Sequence, residues 1–147
     1  MAMKTKEIQE KLVSTMRQWQ AVERKSIAST GAVIGKTENP LIQLVMEIIQ
    51  NDSQLHHRVQ QMIIDSIESR PIAISPEDMR NVSALIDAHL KLEDQMVEAV
   101  TAAIVAVKGR KMGIQEYLLK FLVEDEKKHA SLLTSLNAIK DTLYKVS

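Results

Sequence analysis

The amino-acid sequence predicts an all-α protein, built as an antiparallel four-helix bundle. The chain has 4 Gly and 3 Pro among 147 residues, whereas an all-β sandwich or barrel needs a turn about every 8–12 residues. Apolar residues recur at intervals of three and four, which is the period of a helix face and not of a strand. The few helix-breaking residues cluster at three places, so they divide residues 1–147 into four long helices of one domain.

The four helices are expected at about residues 4–30, 40–69, 76–108 and 114–144. Gly31, near the first break, is taken as the end of helix 1. Helices 2 and 3 have clear start signals, because Asn39 and Ser75 can cap a helix whose first residue is proline. Gly109 follows the predicted third helix, where a glycine commonly ends a helix. Four helices of similar length with short connections are typical of a bundle.

Composition excludes several classes of function. Lys and Arg number 19, as do Asp and Glu, so no basic surface for nucleic acid or an anionic membrane is expected. The chain contains no cysteine, which excludes disulfides, thiolate metal sites and cysteine nucleophiles. The longest apolar run, residues 99–107, is about half of a membrane span. The N-terminal residues also lack the apolar segment of a signal peptide, so we expect a soluble, cytoplasmic protein.

Ionisable residues interrupt the apolar stripe of every predicted helix near its middle. They are Glu23 in helix 1, Asp52 and His56 in helix 2, His89 and Glu93 in helix 3, and Asp125, Glu126 and His129 in helix 4. Residues three or four apart share one helix face, and burying them without a partner costs several kcal/mol. Carboxylate and imidazole groups together form a ligand set for Fe, Mn or Zn. The alternative is a set of hydrogen-bonded pairs that fixes the helix register without a metal.

The individual positions predict different roles at such a site. Glu126 with His129 is the strongest ligand pair, followed by Glu93 and Glu23. His56 is favoured over His57 as a ligand because it continues the apolar line of helix 2. We expect His89 to hold Glu93, and Asp125 to accept a hydrogen bond from an imidazole. No catalytic residue is assigned.

Two segments resemble those of a known family. FLVEDEKKHASLL (residues 121–133) resembles the last helix of rubrerythrins and other ferritin-like di-iron proteins, and EIIQNDSQLHH (residues 47–57) resembles their second helix. The resemblance implies a ferritin-like bundle in which Glu23 and Glu93 are terminal metal ligands. It further implies that Glu126 bridges the metals and that His56 and His129 are imidazole ligands.

The sequence departs from the family pattern at Ser53, where the resemblance implies a second bridging glutamate. Asp52 is adjacent but is rotated by about 100° around the helix. We therefore expect one firmly bound metal and a second that is weak or absent. The ferritin-like crossover between helices 2 and 3 would have to span about 50 Å, whereas residues 70–75 reach at most ~20 Å. Either helix 2 ends earlier or helix 3 begins later than predicted, or the bundle is a simple up-down bundle, or helices are exchanged within a dimer. The up-down arrangement would be closer to a hemerythrin-like site, in which His89 and Glu93 resemble one ligand pair, and this interpretation is less favoured.

The resemblance implies a metal-binding protein that holds one or two iron ions, with Mn and Zn as alternatives. It also implies rubrerythrin-like oxidoreductase chemistry with peroxide or dioxygen. Electrons would then come from an external donor, because the chain encodes no cysteine-based redox centre. A homodimer is the expected assembly. The alternative is a non-enzymatic helical bundle with a degenerate, metal-free polar core, which acts as a structural or interaction module.

Overall fold

The computed structural model describes residues 2–144, with side chains described for residues 2–138. This part of the chain forms four helices and no strand: α1 (Thr5–Ile34), α2 (Pro40–Glu68), α3 (Pro76–Val107) and α4 (Gly113–Tyr144). The all-α prediction is therefore confirmed. None of the described helices combines the length and the apolar character that a transmembrane segment requires.

The predicted caps form at the starts of α2 and α3. The Asn39 side-chain oxygen accepts hydrogen bonds from the backbone N–H groups of Leu41 at 3.0 Å and Ile42 at 3.1 Å. Ser75 and Asp78 form a reciprocal pair, each side chain accepting a hydrogen bond from the other residue's backbone N–H. These contacts satisfy backbone donors that lack a partner within the first helical turn.

Helix α1 extends four residues beyond its predicted end at Thr30, to Ile34. Gly31 lies inside the helix, where a Cβ atom would stand 3.3 Å from Nε2 of Gln50. That amide donates a hydrogen bond to the carbonyl oxygen of Ile27 at 3.1 Å. Gly31 therefore marks a close approach between α1 and α2, and Gly35 is the residue that caps the end of the helix. At the other predicted glycine stop, Gly109 adopts a φ of 75°, which suits a residue that follows a helix.

The described chain divides into two compact units, with the boundary between Ile72 and Ala73. Helices α1 and α2 form the first unit, called hairpin 1, and helices α3 and α4 form the second, called hairpin 2. The interpretation of residues 1–147 as one bundle domain stays a prediction.

The helices of hairpin 1 run antiparallel, as the order of their contacts shows. Residues progressively later in α1 meet residues progressively earlier in α2; the pairs are Arg17 with Glu68, Gln20 with Gln61, Glu23 with His56, and Ser26 with Ser53. The apolar core of the hairpin is small: Val13, Met16 and Ile64 are buried, with Ile63 and Ile67 packed against them.

Hairpin 2 has a polar residue at its centre. Met79 and Val123 are buried, and so is Glu93, whose side chain is only 2% exposed. Several large apolar residues are exposed, although they lie at helical spacing with the residues above; they are Trp19 and Val59 in hairpin 1, and Val82, Met96, Leu122 and Leu132 in hairpin 2. The physical reason is that an apolar stripe spans about 100° or more of a helix surface, whereas each helix packs against a single neighbour within its hairpin.

We expect Asn39→Ala to destabilise the protein by about 1 kcal/mol, because two N–H groups at the start of α2 lose their acceptor. Urea unfolding followed by helical circular dichroism measures this change. Asn51→Ala is the matched control, since Asn51 is exposed within the same helix. Equal losses in the two variants would contradict a capping role for Asn39.

Candidate metal centre

Hairpin 2 brings the side chains of His89, His129 and Glu126 close to the buried carboxylate of Glu93. Its Oε1 atom lies 2.7 Å from Nε2 of His89 and 3.4 Å from Nδ1 of His129. The same nitrogen of His129 lies 3.7 Å from Oε2 of Glu126. Helix α3 places Glu93 and His89 one turn apart, and helix α4 presents Glu126 and His129 on one face. The sequence spacing and the pairing of the two helices together produce this cluster.

Two buried oxygen atoms of the cluster have no hydrogen-bond donor among the described residues when both carboxylates are ionised. They are Oε2 of Glu93 and Oε2 of Glu126. A hydrogen bond shared with Glu93 raises the pKa of Glu126, and burial raises this pKa further. The same hydrogen bond holds the pKa of Glu93 below its ordinary value. Burial of both carboxylates is therefore less costly when a positive charge lies between their oxygens, either a proton held by Glu126 or a metal cation.

The donor atoms fit a metal ion of the iron, manganese or zinc class. One ligand atom from each of Glu93, Glu126 and His129 lies within 4.8 Å of the other two. Metal–oxygen and metal–nitrogen bonds of about 2.0–2.2 Å allow two ligands of one ion to lie up to roughly 4.4 Å apart. Small side-chain rotations would bring all three groups within bonding distance. Mixed carboxylate and imidazole ligands suit these metals.

His89 and Asp125, for which supporting roles are predicted, each lie beside one member of the three-ligand group. His89 contacts Glu93, as described above, and is not part of the three-ligand group. Oδ2 of Asp125 lies 3.4 Å from Nε2 of His129, which leaves Nδ1 of that ring facing Glu93 and Glu126. A carboxylate behind an imidazole fixes the ring orientation and raises its basicity as a ligand. Asp125 is itself held by Nζ of Lys128 at 2.8 Å.

Hairpin 1 brings together only part of its predicted set. Nδ1 of His56 lies 3.5 Å from Oε1 of Glu23, and the His56 side chain is 59% exposed. Ser53 is buried, but its hydroxyl pairs with the hydroxyl of Ser26 at 2.8 Å. Asp52 is half-buried. Within this hairpin Glu23 and His56 are two adjacent ligand candidates. Ser53, where the resemblance implies a glutamate, instead forms a hydroxyl pair with Ser26.

Polar residues that the sequence interpretation did not single out also line the contact between α1 and α2. Gln20 is buried, and its amide donates to the His57 carbonyl oxygen at 3.3 Å and to Oε1 of Gln61 at 3.0 Å. Gln60 is also buried. Gln20 lies one helical turn before Glu23 and therefore on the apolar stripe of α1. This position could have predicted its burial. The Ser26–Ser53 contact had no such signal, because it depends on how two distant segments pair.

We expect the metal-free protein to lose stability as the pH rises through the raised pKa of Glu126. A carboxyl group whose folded-state pKa is raised stabilises the fold fully below its unfolded value of about 4.3 and loses that contribution above its folded pKa. The melting temperature in the presence of a chelator, measured from about pH 4 upward, tests this. Glu126→Gln should flatten this dependence, and an unchanged pH profile in that variant would contradict the shared proton.

Comparison of the chain with models of known families, with curated proteins and with solved structures found no match. The resemblance to ferritin-like proteins therefore stays a prediction that depends on the residues themselves. The prediction that Glu23 and His56 join the same centre as Glu93, Glu126 and His129 also stays a prediction.

Proposed function

We propose that this chain is a ferritin-like metal-binding protein whose metal is held by Glu93, Glu126 and His129. One observation carries the proposal: when both carboxylates are ionised, two buried oxygens of the three-ligand cluster have no hydrogen-bond donor among the described residues. A cation between them would offset the cost of burying two acidic groups side by side. The ferritin-like type of antiparallel bundle, suggested by the resemblance of residues 121–133, is part of the same proposal.

Iron is the proposed metal, with manganese and zinc as alternatives of similar ligand preference. Bound iron would supply redox chemistry with peroxide or dioxygen, using electrons from an external donor. The residues of this chain bind and orient the ion. Glu93 is held by His89, His129 is oriented by Asp125, and Glu126 releases its proton when a cation takes its place.

A second candidate function is a metal-free helical protein whose polar layer fixes the pairing of its helices. The hydroxyl pair of Ser26 and Ser53 favours this alternative, because it satisfies hairpin 1 without an ion at the position where the family has a ligand. In hairpin 2, the 2.7 Å contact between His89 and Glu93 could serve the same structural purpose.

Metal analysis of the protein purified without chelator separates the two candidates. We expect iron, manganese or zinc at about one equivalent per chain, and a melting temperature that rises on addition of Mn(II) to the stripped protein. Glu126→Ala should lose most of the bound metal. Glu124→Ala is its matched control in α4, since the Glu124 side chain is 75% exposed and pairs with Lys127. A metal-free protein whose melting temperature ignores Fe(II) and Mn(II) would support the structural candidate.

A further inference from the structure

The metal cluster lies beside an exposed apolar face of hairpin 2. Leu85, Leu92 and Met96 lie within about 40° of one another around α3. Leu122, His129 and Leu132 lie within about 80° of one another around α4. We call this face of hairpin 2 the site face, and its members are Leu85, Leu92, Met96, Leu122, His129 and Leu132. The five apolar residues are exposed, and His129 remains 41% exposed among them. Large exposed apolar side chains grouped on one side of a helix are typical of an interaction site.

The ligand set on this face is half of a recurrent arrangement. Di-metal carboxylate bundles use one glutamate from each of two helices and one Glu-x-x-His motif from each of two others. Hairpin 2 supplies one glutamate from α3, Glu93, and one motif from α4, Glu126 with His129. A second hairpin of identical sequence would supply the missing half. Hairpin 1 cannot do so fully, because Ser53 replaces the glutamate of its motif and is paired with Ser26.

The position of the cluster along its helices is compatible with a symmetric pairing of two site faces. Helix α3 spans Pro76–Val107 and helix α4 spans Gly113–Tyr144, so the cluster lies close to the middle of both helices. A two-fold axis through the cluster would place the two hairpins against each other over most of their length. Such an axis brings each apolar residue on one side of the cluster opposite the same surface of the partner, which is the property of a symmetric dimer interface.

We propose that the site face is an interface between two copies of this chain, and that the second copy contributes its own Glu93, Glu126 and His129 to one shared metal centre. The inference rests on the proposed function, and it adds the partner that completes the site. Packing the two site faces together removes the exposed leucines from water and gives the ions ligands from four helices.

The dependence of metal affinity on protein concentration tests the proposal in the full-length chain. If a second copy provides ligands, the apparent Kd for Mn(II) falls as the protein concentration is raised over about a hundredfold range, because binding and dimerisation are linked. Light scattering after size exclusion should show that the mass of 16.6 kDa doubles in the metal-loaded protein. Zn(II) serves as a second, redox-inactive probe.

Leu92→Glu tests the interface without changing a ligand. We expect it to hold the loaded protein at the monomer mass and to weaken Mn(II) binding by about tenfold or more. Val105→Glu is the matched control, since Val105 is exposed in the same helix on the side roughly opposite Leu92. Helical circular dichroism establishes that both variants fold, and Met96→Lys repeats the test at a second position.

Two outcomes would overturn the inference, and they differ in what they leave standing. A wild-type monomer that binds Mn(II) with a Kd independent of protein concentration overturns the shared centre, but it leaves the proposed metal-binding function intact. The same result is expected if Glu23 and His56 of the same chain, or water molecules, complete the ligand set of the metal. A wild-type protein that binds neither Mn(II) nor Zn(II) at any concentration overturns the proposed function itself.

Discussion

Glu93→Leu is expected to abolish metal binding and to leave the metal-free protein at least as stable as the wild type. Glu93 belongs to the three-ligand group, and removing even a supporting partner of a ligand commonly costs about 10–100-fold in metal affinity. We therefore expect a loss of more than about 100-fold in Mn(II) affinity. In the metal-free protein, leucine removes a buried carboxylate that faces the second carboxylate, Glu126, which relieves the repulsion between the two acids. The histidines that lose their contact with Glu93 keep access to water, because the side chains of His89 and His129 are 53% and 41% exposed.

Two measurements on the same variant distinguish a metal ligand from a structural residue. Isothermal titration with Mn(II) gives the affinity, and the melting temperature in chelator gives the stability of the metal-free state. Lys91→Leu is the matched control, because Lys91 is exposed in the same helix. A marked fall in the melting temperature of metal-free Glu93→Leu would contradict the proposal and favour a structural role for the contact of Glu93 with His89.

Ile64→Ala is expected to destabilise hairpin 1 by about 2–5 kcal/mol. Ile64 is 2% exposed and forms the apolar core of the hairpin together with Val13 and Met16. Alanine would leave a cavity in a core that has few other buried side chains to close it. Urea unfolding in the presence of chelator, followed by helical circular dichroism, measures the change without a contribution from bound metal.

Ile42→Ala is the matched control for this variant, since Ile42 lies in the same helix and is 43% exposed. We expect it to cost about 1 kcal/mol or less, as is usual for exposed positions. The ratio of the two effects reports where the core of the hairpin lies. Equal destabilisation by the two variants would show that α2 does not pack through Ile64.

The local structure of the helices could be predicted from short segments of sequence. The starts of α2 and α3 depend on a capping side chain followed by proline, and both caps form as predicted. The end of α1 could not be predicted in this way. Glycine at position 31 usually signals a helix end, but here it allows Gln50 of α2 to approach closely. Whether a glycine ends a helix or allows a neighbouring helix to approach depends on residues distant in the sequence, so the segment around position 31 does not distinguish the two.

Part of the candidate site could also be predicted. Helical spacing alone placed Glu126 and His129 on one face, and the position of Glu93 in the stripe predicted its burial. The resemblance implied a bridging metal ligand at position 53, yet the Ser53 hydroxyl pairs with Ser26. Side chains from different helices meet according to the pairing of those helices, which periodicity does not encode.

The sequence by itself determined that this protein is helical, where two of its helices begin, and which residue types could bind a metal. These features follow from backbone preferences and from contacts within a few residues of the chain. Only the tertiary structure decided that Glu93 is buried against Glu126 and His129 with two oxygens lacking a donor, while the His56 side chain stays 59% exposed. The reason is that burial and partner choice are set by the neighbouring helix, whose position depends on the whole hairpin.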